Sequence, residues 1–417
     1  MVENVKPKFF YGYIVVLAAF LIIVVMWGSI YTFGVFFKPL LTEFGWTRAE
    51  TSGAYSLFFA LHGLVYIVTG RLNDRFGPRM VMTACGFLLG LGYLLMSQIS
   101  TIGHLYLVYG VIIAIGMGGT VPLMSTVARW FVKRRGLMTG IVTSGTGLGT
   151  MIMPPVANWL ISTYNWRISY RIVSSIVLVF VLLAAQFLRR NPSRIGHLPY
   201  GADKVKEEGL NLEVVGFSLR EAIHSRQFWI LCATFLSWCF CLQAIMVHIV
   251  PHAIDMRISA ASAATIMTII GGLCIGGRLI MGGASDRIGN KPTLIIGFVV
   301  MVIALSWVVV AKELWMLYLF AIIFGFAYGA SIVVLSPMVA DLFGLRAHGV
   351  ILGAVTFSAT IGGAIGPLLT GYIFDINSSY HLAFLVCVAL SVISLILSLQ
   401  LRPTSKEGGE SDTRRSA

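Results

Sequence analysis

Arg278 is the first residue to account for. It stands in GGLCIGGRLIMGG, residues 271–283, a stretch otherwise made of glycine and apolar side chains. A guanidinium at the centre of a bilayer costs roughly 2.5–3.5 kcal/mol on insertion scales. The chemistry it offers there is recognition of an anion, above all a carboxylate, which a guanidinium meets with two parallel hydrogen bonds. The acidic partner that would neutralise it one turn earlier is missing, and Cys274 is found instead. A plainer reading stands beside this one. If the helix ended near Gly283, Arg278 would lie about 7 Å from the membrane surface, and its side chain could reach the headgroups.

Few other ionisable groups lie deep in apolar sequence. Glu43, Asp255, Asp341 and Asp375 all sit at the ends of apolar runs. His248 is a candidate proton relay, because an imidazole changes charge near neutral pH; the alternative is a neutral ring bonded to a carbonyl. His62 reads as packing, and His252 lies close to a boundary. Neutral groups able to complete an anion site are Trp27, Tyr31, Tyr328, Ser144 with Thr143, and the glycines Gly116, Gly118 and Gly119. A tyrosine hydroxyl donates to an anion, and glycine lets a substrate or a backbone come close. Helix packing competes as the use of each. The six cysteines fall in apolar runs without metal-ligand or paired spacing. There is no phosphate-binding glycine loop and no nucleophile–base pair. An enzyme, a metal and a cofactor are therefore not expected.

These side chains must be held by membrane helices. The chain has 417 residues, of which 57% are hydrophobic and only 11% charged, against about 25% charged in soluble domains. Twelve apolar runs are long enough to cross a bilayer: 11–36, 50–70, 79–99, 104–127, 136–162, 169–188, 227–252, 260–283, 291–311, 314–339, 348–373 and 382–400. The expected organisation is a six-helix bundle over 1–188, a cytoplasmic linker over 189–226, a second bundle over 227–402 and a disordered cytoplasmic tail over 403–417. LREAIHSRQFW, at the end of the linker, reads as a short surface helix. Basic residues gather on the side shared by both termini, which places those termini in the cytoplasm of a cell membrane. The net charge of +13 then reflects loops facing anionic lipid rather than nucleic acid.

A phrase recurs at one offset. GRLNDRFGPR, 70–79, and GGASDRIGNK, 282–291, place Asp74 and Asp286 212 positions apart. The same shift carries Pro39 onto Pro251, Phe131 onto Phe343, Arg134 onto Arg346 and Pro155 onto Pro367. Two parallel six-helix repeats follow. The phrase G-x-x-x-D-R-x-G-x-R/K resembles the signature of the major facilitator superfamily. That resemblance implies an all-α fold of twelve transmembrane helices, with substrate at the midplane. The motif (Gly70, Asp74, Arg75, Gly77, Arg79; Gly282, Asp286, Arg287, Gly289) is expected to form a tight glycine turn that latches the halves in one state and releases them in another.

A narrower likeness lies in residues 129–149, RWFVKRRGLMTGIVTSGTGLG, and in the opening YGYIVV, 11–16. Both are similar to the monocarboxylate transporter family, and the helix 8 arginine four residues before a glycine matches Arg278 and Gly282. The resemblance implies that Arg278 binds a substrate carboxylate. The oxalate–formate exchanger branch shares this arginine and adds a helix 11 lysine, which is absent from 348–373. One buried cation favours a single carboxylate, as in lactate or pyruvate, probed against oxalate, formate or a larger aromatic carboxylate as the alternative. Animal members carry an aspartate where Cys274 stands and a lysine where Tyr31 stands, both serving proton coupling, so their proton route does not transfer. The expected partners are a small organic anion, protons and the lipid bilayer, with no obligatory protein partner.

Overall fold

A computed structural model describes residues 10–131, 135–192, 200, 216–344 and 347–402; the side chains at 67, 74, 135 and 286 fall outside that description. Long helices dominate it: α1 Gly12–Phe44, α2 Arg48–Phe76, α3 Pro78–Met96, α4 Ile102–Trp130, α5 Arg135–Thr163, α6 Trp166–Gln186, α7 Arg226–Asp255, α8 Ala260–Ile288, α9 Asn290–Val310, α10 Leu314–Phe343, α11 His348–Asn377 and α12 His381–Gln400. Eleven are long and apolar enough to cross a membrane. The exception, α5, owes its lower hydropathy to its glycines, serines and threonines. A short helix, Leu219–Ile223, carries a Ser218/Glu221 capping box ahead of α7.

The chain folds into two bundles with separate apolar cores. They interlock at α1 and α7: Tyr31 and Val35 pack into the second core, and Val247 into the first. Bilayer helices gain little from hydrophobic sorting among themselves, so close backbone approach at small residues holds them. Gly149 of α5 is an example. A Cβ there would lie 2.2 Å from the Val24 carbonyl oxygen and 2.8 Å from the Gly28 nitrogen on α1. Gly140, on the same helix, has nothing within 4 Å. Gly149→Ala is therefore expected to cost about 1–3 kcal/mol and to lower the thermal unfolding midpoint in detergent, while Gly140→Ala leaves it in place. Equal midpoints for both would remove the close-packing account.

The motif residues are more helical than the sequence suggests. α2 does not stop at residue 70; it runs through RLNDRF to Phe76, and α8 runs to Ile288. A single glycine makes each turn. Gly77 has φ +83° and Gly289 has φ +90°, a region closed to side chains. Each donates its N–H back into the preceding helix, to Asn73 and Ser285. Pro78 then starts α3 at a position where its missing N–H costs nothing. The expected tight turn is thus one residue long, and Gly70 and Gly282 are helix positions lying against Val121 and Val333. This lengthens α8 beyond Arg278 by ten residues, or about 15 Å.

Candidate anion-binding site

Two close contacts place the central side chains. A Cβ on Gly277 of α8 would meet the Phe326 carbonyl oxygen at 2.4 Å, and one on Gly329 of α10 would meet the Cys274 carbonyl oxygen at 2.2 Å. With α8 and α10 nearly touching, Tyr328 is carried onto Arg278. The Arg278 Cζ lies 5.6 Å from the Tyr328 ring centre, within cation–π range. The Tyr328 and Tyr31 hydroxyls are 3.4 Å apart. The Tyr31 ring is 5.8 Å from that of Trp27, whose indole N–H donates to Thr120 Oγ1 at 3.3 Å. Arg278, Tyr328, Tyr31 and Trp27 therefore form one line across the seam between the halves.

The guanidinium is incompletely satisfied. Its Nη1 donates across the seam to the Thr143 carbonyl of α5. Its Nε is buried and has no partner. Among the described residues no carboxylate bonds it. Leaving a buried charged donor unpaired is costly, and a neutral carbonyl does not cancel a charge. The side chain points across the seam to α5, and its helix continues for ten residues beyond it.

Other candidates make contacts of their own. Gly119 faces Met82 and Met26, its Cβ position 2.4 Å from Met82 Cε. It sits in a tight turn of α4, Met117–Gly119, that follows a widened segment, Tyr106–Ile113. Gly116 is pressed against the backbone of Leu89 and Gly118 against Thr69. The Ser144 hydroxyl donates back to Ile141 of its own helix at 2.6 Å. His248 is buried with both ring nitrogens engaged: Nε2 faces the Pro367 carbonyl at 2.9 Å and Nδ1 the Tyr380 hydroxyl at 3.1 Å. Of the motif, Arg79 donates to Gln186 at 2.8 Å, tying α3 to α6, and Arg75 lies over the Phe76 ring. Arg287 is exposed. The side chains of Asp74 and Asp286 lie outside the described residues.

A second polar cluster closes one end of the seam, and sequence reasoning missed it as a unit. Asp255 of α7 binds both Lys38 of α1 and Arg48 of α2, the latter at 2.6 Å. Arg48 also donates to the Tyr380 hydroxyl and lies over the Phe374 ring at 3.6 Å. Asp375 of α11 accepts from the Arg48 and Ala49 backbone N–H groups at 3.0 and 2.7 Å, so its charge sits on the positive end of α2. Tyr55 donates to Gln243 at 3.0 Å one layer deeper. Toward the opposite end of α5, α8 and α11, Cβ positions at Gly140, Gly276, Gly283, Gly349 and Gly353 have no neighbour within 4 Å among the described residues. The ion pairs that join the halves among the described residues lie at the Asp255 end.

Comparison with known proteins follows the same lines. The family model of the Major Facilitator Superfamily matches residues 19–284 and 258–416. Monocarboxylate transporter 13 of Rattus norvegicus is 27% identical over 382 residues, covering 91% of this chain and 86% of that one. An uncharacterized MFS-type transporter of Escherichia coli (strain K12), YhjX, is 26% identical over 326 residues, covering 76% and 78%. Among solved structures, a bacterial homolog of the human lysosomal transporter Spinster, in an inward-facing and occupied conformation, superposes with a TM-score of 0.72 at 17% identity, covering 93% of this chain and 96% of that one. At that identity the likeness concerns the fold alone.

Proposed function

The chain belongs to the major facilitator superfamily and is a multi-pass membrane transporter; from that premise we propose that it carries a small monocarboxylate, of the lactate or pyruvate kind, with a proton, and that Arg278 is the receptor for the carboxylate. The observation that carries the reading is the buried Arg278 Nε without a partner, on a guanidinium that no carboxylate among the described residues bonds and whose Nη1 donates to the Thr143 carbonyl. A carboxylate supplies the missing acceptors and the missing charge together. The names of the relatives support the same substrate class.

The transport cycle rocks one bundle against the other. On the positive-inside reading both termini lie in the cytoplasm of a prokaryotic cell membrane, and the Asp255 end, where ion pairs join the bundles, is then the outer one. Substrate enters at the seam, displaces the Thr143 contact and neutralises Arg278. Burying a neutral pair costs less than burying a lone cation, and this lowers the barrier to closing the cavity. The Tyr328 hydroxyl, already at the seam, donates to the second carboxylate oxygen. Tyr328→Phe keeps the ring and removes one neutral hydrogen bond, so KM for uptake should rise about three- to tenfold with the maximal rate retained. An unchanged KM would remove Tyr328 from the site.

Uptake of labelled L-lactate into proteoliposomes tests the whole reading, with oxalate and an aromatic carboxylate as competitors. Lactate uptake blocked by pyruvate and indifferent to oxalate supports it. Uptake of oxalate in preference to lactate would move the protein to the exchanger branch, and indifference to every carboxylate would end the proposal.

A further inference from the structure

The carboxylate reading needs a place for the proton. The candidates are His62 and His248, both buried, and His252, half-buried. His248 is spent: a ring nitrogen facing a carbonyl carries the hydrogen, so Nε2 donates to Pro367, and Nδ1 accepts from Tyr380. A proton could enter only by breaking the Tyr380 bond, with the Arg48 guanidinium on that same hydroxyl. His252 has an unpartnered Nε2, but it stands at the rim, one turn from Asp255 and against Tyr380 and Phe384.

His62 is different. It lies in the middle of α2, 1% exposed. The ring lies beside the Met117 backbone of α4, at the turn where that helix tightens, and its Nε2 is buried with no partner. With its hydrogen on Nδ1 the neutral imidazole presents a bare lone pair at Nε2. Aromatic rings enclose it: Phe58 stacked at 5.1 Å, Tyr66 at 4.1 Å, Phe59 at 6.1 Å and Trp27 edge-on at 5.7 Å. Among the described neighbours, Tyr66 on its own helix is the one titratable group facing it. α1 presents Trp27, α4 presents Met117, and α11 places Phe357 and Thr360 against the adjacent Gly63; none is charged. Of these rings Phe58 is stacked on the imidazole, and an aromatic face attracts a cation.

We propose that His62 is the proton-binding residue of the transport cycle, linked to Arg278 through the line Trp27, Tyr31, Tyr328. This rests on the carboxylate reading. Nε2 takes a proton from cavity water on one side of the membrane and returns it to water on the other; no other bond changes. The charge count favours the coupling. The empty carrier holds +1, from Arg278. The loaded carrier holds Arg278, the carboxylate and an imidazolium, again +1. Without the carboxylate a second cation in the same seam would be opposed by Arg278; with it, that opposition is removed. The net movement is that of the neutral acid.

His62→Asn keeps a polar side chain with an N–H donor and cannot titrate. Proteoliposomes are assayed in two modes: lactate counterflow at equal pH on both sides, and accumulation driven by an acidic exterior. The expected result is counterflow within about threefold of wild type and accumulation reduced more than tenfold, with His62→Gln as a second variant read the same way. Accumulation at the wild-type level by either variant overturns the assignment. So does loss of both modes in a variant that elutes as folded protein, since His62 would then support the site rather than carry the proton. Wild type that counterflows lactate but ignores the pH gradient overturns the proton site and leaves the carboxylate reading intact. Wild type inert to lactate in both modes overturns the carboxylate reading, and this inference with it.

Discussion

Arg278→Gln protein in liposomes takes up labelled lactate at about one-hundredth of the wild-type rate or less, and elutes and melts like wild type. The expectation follows from what the guanidinium lacks. Its Nε has no acceptor and its Nη1 has only the Thr143 carbonyl, so the charge contributes nothing to holding the fold that an amide could not. Charge-assisted hydrogen bonds contribute about 1.5–3 kcal/mol each, and two to one carboxylate exceed the 2.7 kcal/mol or so that a hundredfold loss represents. Glutamine offers one donor group and no charge. Arg278→Lys restores the charge without the planar fork, and should recover less than about a tenth of the activity. If Arg278→Gln transports as wild type does, the guanidinium is a helix-packing group and the proposed receptor is wrong. If it unfolds, the side chain is structural, and the lysine variant then decides: folded and inactive still points to carboxylate recognition.

Much of this architecture is legible in the sequence because the relevant signals are periodic or solitary. The 212-residue offset places Gly77 on Gly289, and both adopt positive φ between two helices. It also places Pro39 on Pro251 and Pro155 on Pro367, all inside helices. Arg278 is visible as the lone cation of an apolar run. Helix ends are another matter. RLNDRF and ASDRI read as loop by hydropathy, yet they are helical, because a helix ends where its backbone changes direction and not where its side chains become polar. The partner of Arg278 is a main-chain carbonyl, which every residue possesses and no residue type advertises. The cluster around Asp255 joins Lys38 and Arg48 to Asp255, Asp375 and Tyr380, more than two hundred positions away; the charges are readable and their pairing is not. His62 looks like a core histidine until packing reveals which of its nitrogens is left bare.

Asp255→Asn should move the molecule toward the state closed at the other end. Asp255 is the one carboxylate shared by Lys38 and Arg48, and both cations come from the opposite bundle. Its side chain is 26% exposed and that of Arg48 8%, so solvent screens the pair in part, and the loss is closer to about 1–3 kcal/mol than to the 3–5 typical of a fully buried pair. Each 1.4 kcal/mol changes a two-state ratio about tenfold. Spin labels at Thr101 and Glu313, on the Asp255 end of the two bundles, read that ratio as a distance distribution. In the variant the longer distance should grow about ten- to hundredfold relative to the shorter. Lys38→Met alone should do much less, because Arg48 keeps its bond to Asp255 and Asp375 still caps α2. An unchanged distribution in Asp255→Asn would mean that this end is closed by packing, where a Cβ on Gly371 would meet Ser52 Oγ at 2.6 Å and the Arg48 carbonyl oxygen at 2.8 Å. In that case Gly371→Ala, not the charge variant, is the substitution that opens it.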